Sequence, residues 1–249
     1  MFARRTIENP WEGRIEPFKI IGNVYFIGTH QASSHLVDTG EGLLVIDTGY
    51  ENTLYLLIDS IYKLGFRPAD VKYIINTHWH WDHTEGSRAL SDLSGGKNVI
   101  GKEDAEKAKR YFTPDILVEE GDTLTLGNTT VRFLETPGHT KGTISLFFET
   151  KEGEKTYRVG MFGGAGANTL RQGSFDYEGC REDYRNSVNR LRQEAVDVFI
   201  GNHTWNNNTE EHAKILAETG ENRFIDASLW HRFLDYCEKR LDEIIAKEV

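Results

Sequence analysis

The sequence predicts an α+β fold with four layers, in which two β-sheets face each other and helices cover the two outer faces. Apolar runs separated by glycine-containing turns indicate strands in the first half of the chain and again in the second. Segments whose apolar residues recur every three or four positions follow those strands in each half. A chain of 249 residues, 38% of them hydrophobic, can fill one large core, so packing the two helix-covered sheets together gives an αββα sandwich.

In the first half of the chain, a run of strands comes before the first helix. Residues 18–28 and 34–47 alternate short apolar runs with turns, which is typical of consecutive antiparallel strands in one sheet. Residues 54–64 keep helical spacing, and Asn52 or Thr53 could cap that helix. The further elements predicted in this half are a buried strand at 71–75, a helix at about 85–93, a short strand at 99–100 and a charged surface helix at 103–111.

The second half begins again with strands and ends with helices. The predicted strands cover 122–126, 130–135, 142–148, 157–162 and 197–200, and the predicted helices cover 183–194, 209–220 and 226–244. Thr209 could cap the second of these helices, and Asp226 starts the third. Apolar residues in the last helix keep helical spacing and predict a core-facing stripe of Trp230, Phe233, Leu234, Cys237, Leu241 and Ile244.

Length and charge limit the domain count and the kind of partner. We expect a single domain over residues 1–249, with an extended N-terminal arm at about 1–17. The formal net charge is −10, which disfavours nucleic acid and anionic membranes as partners because both need a face rich in Lys and Arg. A small-molecule substrate is the expected partner, and the sequence gives no indication of oligomeric state.

No segment of the sequence predicts a membrane span or a signal peptide. Apolar stretches stay well short of about 20 residues, and no apolar region of signal-peptide length follows Met1. The chain as written is therefore expected in the cytoplasm, and a periplasmic or secreted location would follow if a leader had been removed. Cys180 and Cys237 are the only cysteines, and their spacing matches no metal motif, so both are expected to be inert.

A cluster of histidines directly follows the buried strand at 71–75. Residues 77–83 read Thr-His-Trp-His-Trp-Asp-His, which places three imidazoles and one carboxylate within six positions. Imidazole nitrogens and carboxylate oxygens suit zinc, and successive pairs of donors can turn toward two different ions. The alternative is a polar loop whose histidines only cap the strand, but titratable groups crowded at a strand end are costly to desolvate unless something binds them.

Two later histidines also stand at predicted strand ends. His139 lies in Thr-Pro-Gly-His-Thr, where proline and glycine predict a tight loop that turns the imidazole away from the sheet edge. His203 follows the strand at 197–200 within Ile-Gly-Asn-His-Thr. Taken alone, His139 would be read as a core histidine, whereas beside the first motif it becomes a candidate ligand.

At these motifs the sequence resembles the metallo-β-lactamase superfamily over most of its length. The matching pieces are the segment 43–49 (LLVIDTG), the motif 78–83, the segment 137–140 (PGHT) and the strand-end His203. The likeness is strongest to the third subclass of class B metallo-β-lactamases, because histidine and aspartate fill both metal sites without cysteine and because residues 222–226 (NRFID) resemble that subclass before the last helix. The resemblance implies the metallo-β-lactamase fold.

The resemblance also implies two Zn²⁺ ions per chain and a role for each site residue. His78, His80 and His139 would bind one zinc, and Asp82, His83 and His203 would bind the other. A bridging hydroxide would be the nucleophile, since zinc held by neutral imidazoles lowers the pKa of bound water to about 7. Asp82 would anchor one ion and hydrogen-bond the nucleophile.

Other residues are expected to support the ligands or to contact substrate. Asp47 would brace the site rather than bind metal, and Thr140 would either hydrogen-bond a ligand or only close its loop. Trp79 and Trp81 could form an apolar wall beside the metals, with aromatic residues from other loops reaching over it, or could simply pack. The residues proposed to reach over are Tyr111, Phe112 and Trp205, while His30 and His35 could line the cleft and His212 and His231 are expected to be solvated or in the core.

Two features of residues 158–168 depart from related enzymes. Many superfamily hydrolases of thioesters, lactones or phosphodiesters carry a metal-bridging aspartate here, and this chain has none. Third-subclass lactamases usually have serines here that help to hold the β-lactam carboxylate, and this chain has Gly164, Ala165 and Gly166. Carboxylate recognition would then fall to Asn168 or Arg171, or the substrate differs.

The sequence therefore predicts a zinc-dependent hydrolase that opens the amide of a β-lactam. The alternatives are a dizinc hydrolase of another cyclic amide, lactone or ester, an iron-dependent oxidoreductase of the same fold, and a metal-binding scaffold without catalysis. An iron enzyme fits poorly, because the di-iron relatives place a glutamate where His80 stands.

Overall fold

Two β-sheets form the centre of the molecule in the computed structural model, which describes residues 8–248. The first sheet has strand order β1-β2-β3-β4-β5-β6-β7 and the second has order β12-β11-β10-β9-β8. The strands of the first sheet are Phe18–Ile21 (β1), Val24–Phe26 (β2), His35–Asp38 (β3), Leu43–Ile46 (β4), Val71–Asn76 (β5), Lys97–Gly101 (β6) and Ile116–Val118 (β7). Those of the second sheet are Thr123–Leu126 (β8), Thr129–Glu135 (β9), Ile144–Glu152 (β10), Lys155–Met161 (β11) and Val198–Phe199 (β12).

Helices cover the outer faces of both sheets. They are Leu54–Lys63 (α1), Trp81–Thr84 (α2), Ser87–Ser94 (α3), Ala105–Ala108 (α4), Cys180–Leu191 (α5), Thr209–Thr219 (α6) and Ala227–Ala246 (α7). Short 3-10 turns occupy Pro10–Gly13, Glu51–Thr53, Pro68–Asp70, Lys102–Asp104 and Asn168–Leu170. No helix within residues 8–248 combines the length and the apolar character needed to cross a membrane.

Burial patterns explain the four layers. All of β4 is buried, and its side chains alternate between two clusters: Leu44 and Ile46 face the second sheet, whereas Leu43 and Val45 lie under α1. In β10, Leu146 and Phe148 enter the central cluster while Phe147 packs beneath α5 and α7. Because successive strand side chains point to opposite faces, each sheet contributes to the central core and to one outer core. The predicted sandwich is confirmed.

Parallel pairing brings the carboxyl ends of several strands of the first sheet together at one edge. β1 to β4 are antiparallel, as predicted, but β4, β5, β6 and β7 pair in parallel. The carboxyl ends of β4, β5 and β6 therefore lie along one edge, where the chain continues into Asp47, Thr77 and Lys102–Asp104. An isolated bridge between Ala32 and His203 connects the loops from the two sheets at this edge.

Several predicted elements differ from the structure. The helix expected at 85–93 is preceded by α2, so the second half of the histidine motif is helical rather than a loop. The predicted surface helix at 103–111 is wrong in length and environment: α4 has only four residues, and Asp104, Ala108 and Phe112 are buried. Strand β7 was not predicted, and α5 begins at Cys180, one turn before its predicted start.

The predicted N-terminal arm falls only partly on described residues. Residues 1–7 lie outside the described part of the chain, and Pro10–Gly13 form a 3-10 turn within the range predicted to be extended. The single-domain organisation of residues 1–249 stays a prediction.

Candidate metal centre

The histidine motif divides into two parts because its backbone changes conformation at His80. His78 lies in the bend at residues 77–79 that follows β5, and His80 is the extended residue that precedes α2, with φ −63° and ψ 145°. Asp82 and His83 then lie in the single turn of α2. His78 and His80, before the helix, belong to one group of side chains, and Asp82 and His83, within it, belong to another.

The first group consists of His78, His80 and His139, whose ligand atoms lie within 4.8 Å of one another. His80 Nδ1 is 2.8 Å from His139 Nε2. His139 Nδ1 donates to the Gly166 carbonyl at 2.6 Å, which leaves the lone pair of Nε2 directed at the group. His78 Nε2 is buried and has no hydrogen-bond partner among the described residues. A buried, unpartnered imidazole nitrogen facing two others is what a metal ion would satisfy.

The second group consists of Asp82, His83 and His203 and meets the same 4.8 Å limit. His83 Nε2 lies 3.3 Å from His203 Nε2 and 3.5 Å from Asp82 Oδ2. His203 Nδ1 donates to the Gln31 carbonyl at 2.8 Å, and His83 Nδ1 donates to Asp47 Oδ2 at 2.8 Å. Each imidazole therefore presents Nε2 to the group. The structure thus brings together the six residues predicted as ligands; their binding of metal stays a prediction.

Asp47 connects the two groups through hydrogen bonds. It is fully buried, its Oδ1 accepts from the Thr77 backbone N–H at 2.8 Å, and its Oδ2 accepts from the Thr77 hydroxyl at 2.8 Å as well as from His83. The Thr77 hydroxyl lies 3.1 Å from His78 Nδ1, so one carboxylate orients His83 directly and His78 through Thr77. Asp47 thus contacts one candidate ligand directly and another through Thr77, and its role in bracing metal ligands stays a prediction.

Two residues with strained backbone support the histidines. Asp47 has φ 55° and Gln31 has φ 78°, in the left-handed region that costs a non-glycine residue about 1–3 kcal/mol. Gln31 aims its carbonyl at His203, and its role was missed by sequence reasoning because any residue type can supply a backbone carbonyl. Each of these residues places a hydrogen-bond acceptor, the Asp47 carboxylate or the Gln31 carbonyl, against one of the clustered histidines.

Burial and charge set the protonation of the two groups. Burial lowers the pKa of His80 and His203 to about 4 and also lowers the pKa values of His78 and His139. Burial opposes ionisation of Asp82, but the facing imidazoles outweigh it and hold its pKa below the usual range. Burial likewise opposes a charge on His83, yet Asp82 and Asp47 raise its pKa to about 10. Four neutral imidazoles and a carboxylate form a donor set suited to zinc, and a cation in the second group would replace the proton that the carboxylates favour on His83.

Thr140 does not hydrogen-bond any of the six candidate ligands. Its hydroxyl donates to Asp104 Oδ2 at 2.6 Å and lies 2.8 Å from the Thr143 hydroxyl. The expectation that it contacts a ligand is therefore replaced by the loop-closing alternative. Asp104, which sequence reasoning placed on a surface helix, is fully buried, and burial raises its pKa to about 6 although three hydrogen bonds favour its charged form.

The aromatic residues near the motif occupy different environments. Trp79 packs edge-on to His80 with Lys107 5.3 Å from its ring, and Tyr111 and Phe112 belong to the same small core. Trp81 is 39% exposed and lies against Tyr50 with ring centroids 5.0 Å apart. Trp205 stacks on His203 at 5.8 Å. An apolar wall made by Trp79 and Trp81 stays a prediction, while Trp205 lies where substrate could reach.

The remaining histidines do not join the two groups. His35 is buried within β3 rather than in a loop, and His212 is buried against Phe224. His30 pairs with Glu210 at 2.8 Å, and His231 is exposed.

A cavity of about 490 Å³ opens beside the second group. Its lining includes Asp82 and His203 together with Asn168, Arg171, Trp205, Tyr236 and Arg240. Arg171 makes no salt bridge among the described residues, although its charge, after that of Arg181, contributes to lowering the pKa of the nearby Glu248 carboxyl. Arg240 pairs with Glu243 at 3.1 Å. Trp79 and Trp81 are not part of this lining.

Close packing explains the glycines at 164 and 166. A Cβ atom at Gly164 would lie 2.7 Å from Thr143 Oγ1 and 3.0 Å from His139 Cβ, and one at Gly166 would lie 3.0 Å from His139 Cε1. Serine at either position would therefore push on His139. The close packing around His139 therefore favours glycine over serine at positions 164 and 166.

Known proteins of the metallo-beta-lactamase superfamily share the fold of this chain. A family model described as the metallo-beta-lactamase superfamily matches residues 27–152. The crystal structure of BJP-1, a subclass B3 metallo-beta-lactamase of Bradyrhizobium japonicum, is 30% identical over 96% of this chain and 97% of its own, with a TM-score of 0.87. FEZ-1, a metallo-beta-lactamase from Legionella gormanii, is 26% identical over 94% and 97% of the two chains, with a TM-score of 0.88. These likenesses confirm the fold predicted from the motifs.

A curated relative with a different activity matches a shorter part of the chain. The hydroxyacylglutathione hydrolase of Chelativorans sp. (strain BNC1) is 36% identical over 92 residues, which are 37% of this chain and 34% of that enzyme. This chain thus spans about a third of the length of that relative.

Proposed function

Because the chain belongs to the metallo-beta-lactamase superfamily, we propose that it is a zinc-dependent hydrolase that binds two ions and opens the amide of a β-lactam. The observation that carries the proposal is the convergence of His78, His80 and His139 beside Asp82, His83 and His203, each set within 4.8 Å. The unpartnered Nε2 of His78 supports metal binding in the first group, and the neutral imidazoles of His78, His80, His139 and His203 support zinc.

Different residues of the chain would orient the attacking water and the imidazoles. Zinc bound here would supply a Lewis acid and a water with a pKa of about 7. Asp82 remains ionised in the second group, so its carboxylate can accept a hydrogen bond from the attacking water and hold it in place. Asp47 and the Gln31 carbonyl keep the imidazoles of His83 and His203 in fixed orientations, which spares the site from reorganising during the reaction.

The cavity beside the second group fits an anionic substrate with an apolar part. Among the described residues that line it, Arg171 and Arg240 are the cationic ones, and Trp205 and Tyr236 offer aromatic surface. A β-lactam carries a carboxylate near the reacting amide, and a guanidinium can bind a carboxylate through two parallel hydrogen bonds. Arg171 makes no salt bridge among the described residues, and the nearby Glu248 carboxylate pairs with Arg181. We therefore propose that Arg171, with Asn168 of the same lining, replaces the serines that Gly164 and Gly166 exclude.

The second candidate function is hydrolysis of a thioester or another ester. The likeness to hydroxyacylglutathione hydrolase over 92 residues favours it. Residues 158–168 contain no aspartate, whereas many superfamily hydrolases of thioesters and lactones place a metal-bridging aspartate there. The lactam therefore remains the leading substrate, with another cyclic amide, a lactone or an ester as alternatives.

Metal analysis combined with a chromogenic cephalosporin tests the proposal. We expect two zinc ions per chain and turnover that falls at least 100-fold in His80→Ala, because the first group loses one of its three donors. His231→Ala is the matched control, since His231 is exposed on α7, and it should keep full activity. Two zinc ions without turnover of any penicillin, cephalosporin or carbapenem would favour an ester or thioester instead, and bound iron with oxygen consumption would indicate an oxidoreductase.

A further inference from the structure

The carboxylate of Asp104 joins the two chain segments that carry the first group of histidines. Its Oδ2 accepts from the Trp79 backbone N–H at 3.0 Å and from the Thr140 hydroxyl at 2.6 Å, and its Oδ1 accepts from the Gly142 backbone N–H at 2.8 Å. Trp79 stands between His78 and His80, and Thr140 follows His139. One buried side chain therefore holds the backbone beside all three candidate ligands.

The geometry shows that Asp104 is directed at these segments rather than at its own helix. Asp104 precedes α4, yet its side chain makes no capping hydrogen bond to that helix. Its three hydrogen bonds reach residues 25, 36 and 38 positions away in the sequence. The loop after His139 approaches so closely that a Cβ atom on Gly142 would lie 2.2 Å from the Asp104 backbone nitrogen.

Removing any of these bonds would leave the two segments less well fixed relative to each other. His80 Nδ1 and His139 Nε2 approach to 2.8 Å from opposite segments, so a small relative shift changes the spacing of the donors. The second group depends on other supports, because His83 is held by Asp47 and His203 by Gln31. A change at Asp104 should therefore act on one group and leave the other intact.

We propose that Asp104 is a positioning residue that sets the metal affinity of the group formed by His78, His80 and His139, without contacting the metal or the substrate. The inference rests on the proposed function only in requiring that this group binds a divalent ion. Its role is to hold the Trp79 and Thr140 segments at the separation that the ion requires, in the way that supporting hydrogen bonds commonly tune a metal site.

Cobalt titration of single-site proteins tests the proposal. His203→Ala leaves only the first group complete, and His139→Ala leaves only the second, so Co²⁺ affinity can be measured for each by absorption in competition with a chelating dye. In the first background, we expect Asp104→Asn and Thr140→Val to lower the affinity about 10- to 100-fold. In the second background, the same substitutions should change it less than threefold.

A conservative variant distinguishes the loss of the positioning hydrogen bond from a general loss of structure. Thr140→Ser keeps the hydroxyl that donates to Asp104 and should restore first-group affinity to that of the parent, whereas Thr140→Val removes the hydroxyl at nearly constant volume. Equal losses in both backgrounds, or an unchanged first-group affinity in Asp104→Asn, would overturn the proposal while leaving the metal centre standing. Failure of the unmodified protein to bind Co²⁺ would instead overturn the metal centre and this inference with it.

Discussion

Asp47 combines a strained backbone with a fully satisfied side chain. At φ 55° it adopts a conformation that aspartate and asparagine tolerate better than other non-glycine residues. Its two oxygens accept from the Thr77 N–H, the Thr77 hydroxyl and His83. The conformational cost is thus offset by three hydrogen bonds that orient ligands of both groups.

Replacing Asp47 by asparagine should weaken metal binding while preserving the fold. Asparagine has the same shape and tolerates the left-handed backbone, but its amide cannot supply the negative charge that favours the His83 Nδ1–H donor. We expect Asp47→Asn to lower zinc affinity about 10- to 100-fold, chiefly in the group that contains His83. Isothermal titration of the ion-free variant with zinc measures the effect. An unchanged affinity would show that the charge of Asp47 has no part in the site.

At the residue scale, sequence reasoning found the candidate ligands but not all of their supports. His78, His80, Asp82 and His83 stand in one dense motif, so their chemistry is visible without a fold. Gln31 acts through a backbone carbonyl, and Asp104 acts through contacts with residues 25 to 38 positions away, so neither leaves a local pattern. Supports of this kind become visible only once the chain is folded.

Among the elements, helix α7 is one whose position and buried face were correctly predicted from the spacing of its apolar residues. Its predicted stripe, including Trp230, Leu234 and Leu241, is buried in the cluster beneath the second sheet. Asp226 accepts from the Ser228 N–H at 2.9 Å and caps the helix, as predicted. A long stripe with a cap residue at its start predicts both the position and the buried face of a helix.

Truncating a residue in this stripe should destabilise the whole protein. Leu234 is fully buried, so we expect Leu234→Ala to lower the free energy of unfolding by about 2–5 kcal/mol through lost burial and the cavity left behind. Urea denaturation followed by circular dichroism measures the change. Lys239→Ala on the exposed face of α7 is the control and should change stability by less than about 0.5 kcal/mol. A loss below about 1 kcal/mol for Leu234→Ala would mean that α7 contributes little to the core.

Short elements were predicted less well, for a physical reason. The charged run at 103–111 has helical propensity, but buried Asp104 and Phe112 anchor it to the site and the core, and only Ala105–Ala108 remain α-helical. Strand β7 has three residues and pairs in parallel with β6, so it carries too few positions to show a period. In both cases contacts distant in sequence decide the local structure.

At the scale of the whole molecule, the sandwich brings distant strand ends to one edge. Asp47 follows β4, His78 follows β5, His139 follows β9 and His203 follows β12, so both sheets contribute to the candidate centre. This convergence was expected because each of these residues stands at or just after the end of a predicted strand and because the motifs resemble those of the metallo-β-lactamase superfamily. The parallel pairing of β4 to β7, which aligns the strand ends of the first sheet, could not be read from those runs.

A buried histidine that belongs to neither candidate metal group should make the stability of the ion-free protein depend on pH. His35 lies within β3 against the edge of Phe26, its Nδ1 has no hydrogen-bond partner in the part of the chain that the structure describes, and burial lowers its pKa to about 3. In the unfolded chain His35 takes up a proton near pH 6.5, whereas the folded protein excludes it until about pH 3. Protonation therefore favours the unfolded chain, and the contribution of His35 to stability falls as pH decreases through this range.

Replacing His35 by leucine should remove this part of the pH dependence. Between pH 7 and pH 5 the proton linkage at His35 amounts to about 2 kcal/mol, from about 1.4 kcal/mol per pH unit below 6.5. In urea denaturation with a chelator present, the unmodified protein should lose about 2 kcal/mol more than His35→Leu over that interval. His231→Leu serves as the control and should follow the unmodified protein, because His231 is already exposed to water in the folded state. Parallel losses in the unmodified protein and His35→Leu would show that His35 is protonated within the fold, which its apolar surroundings in β3 argue against.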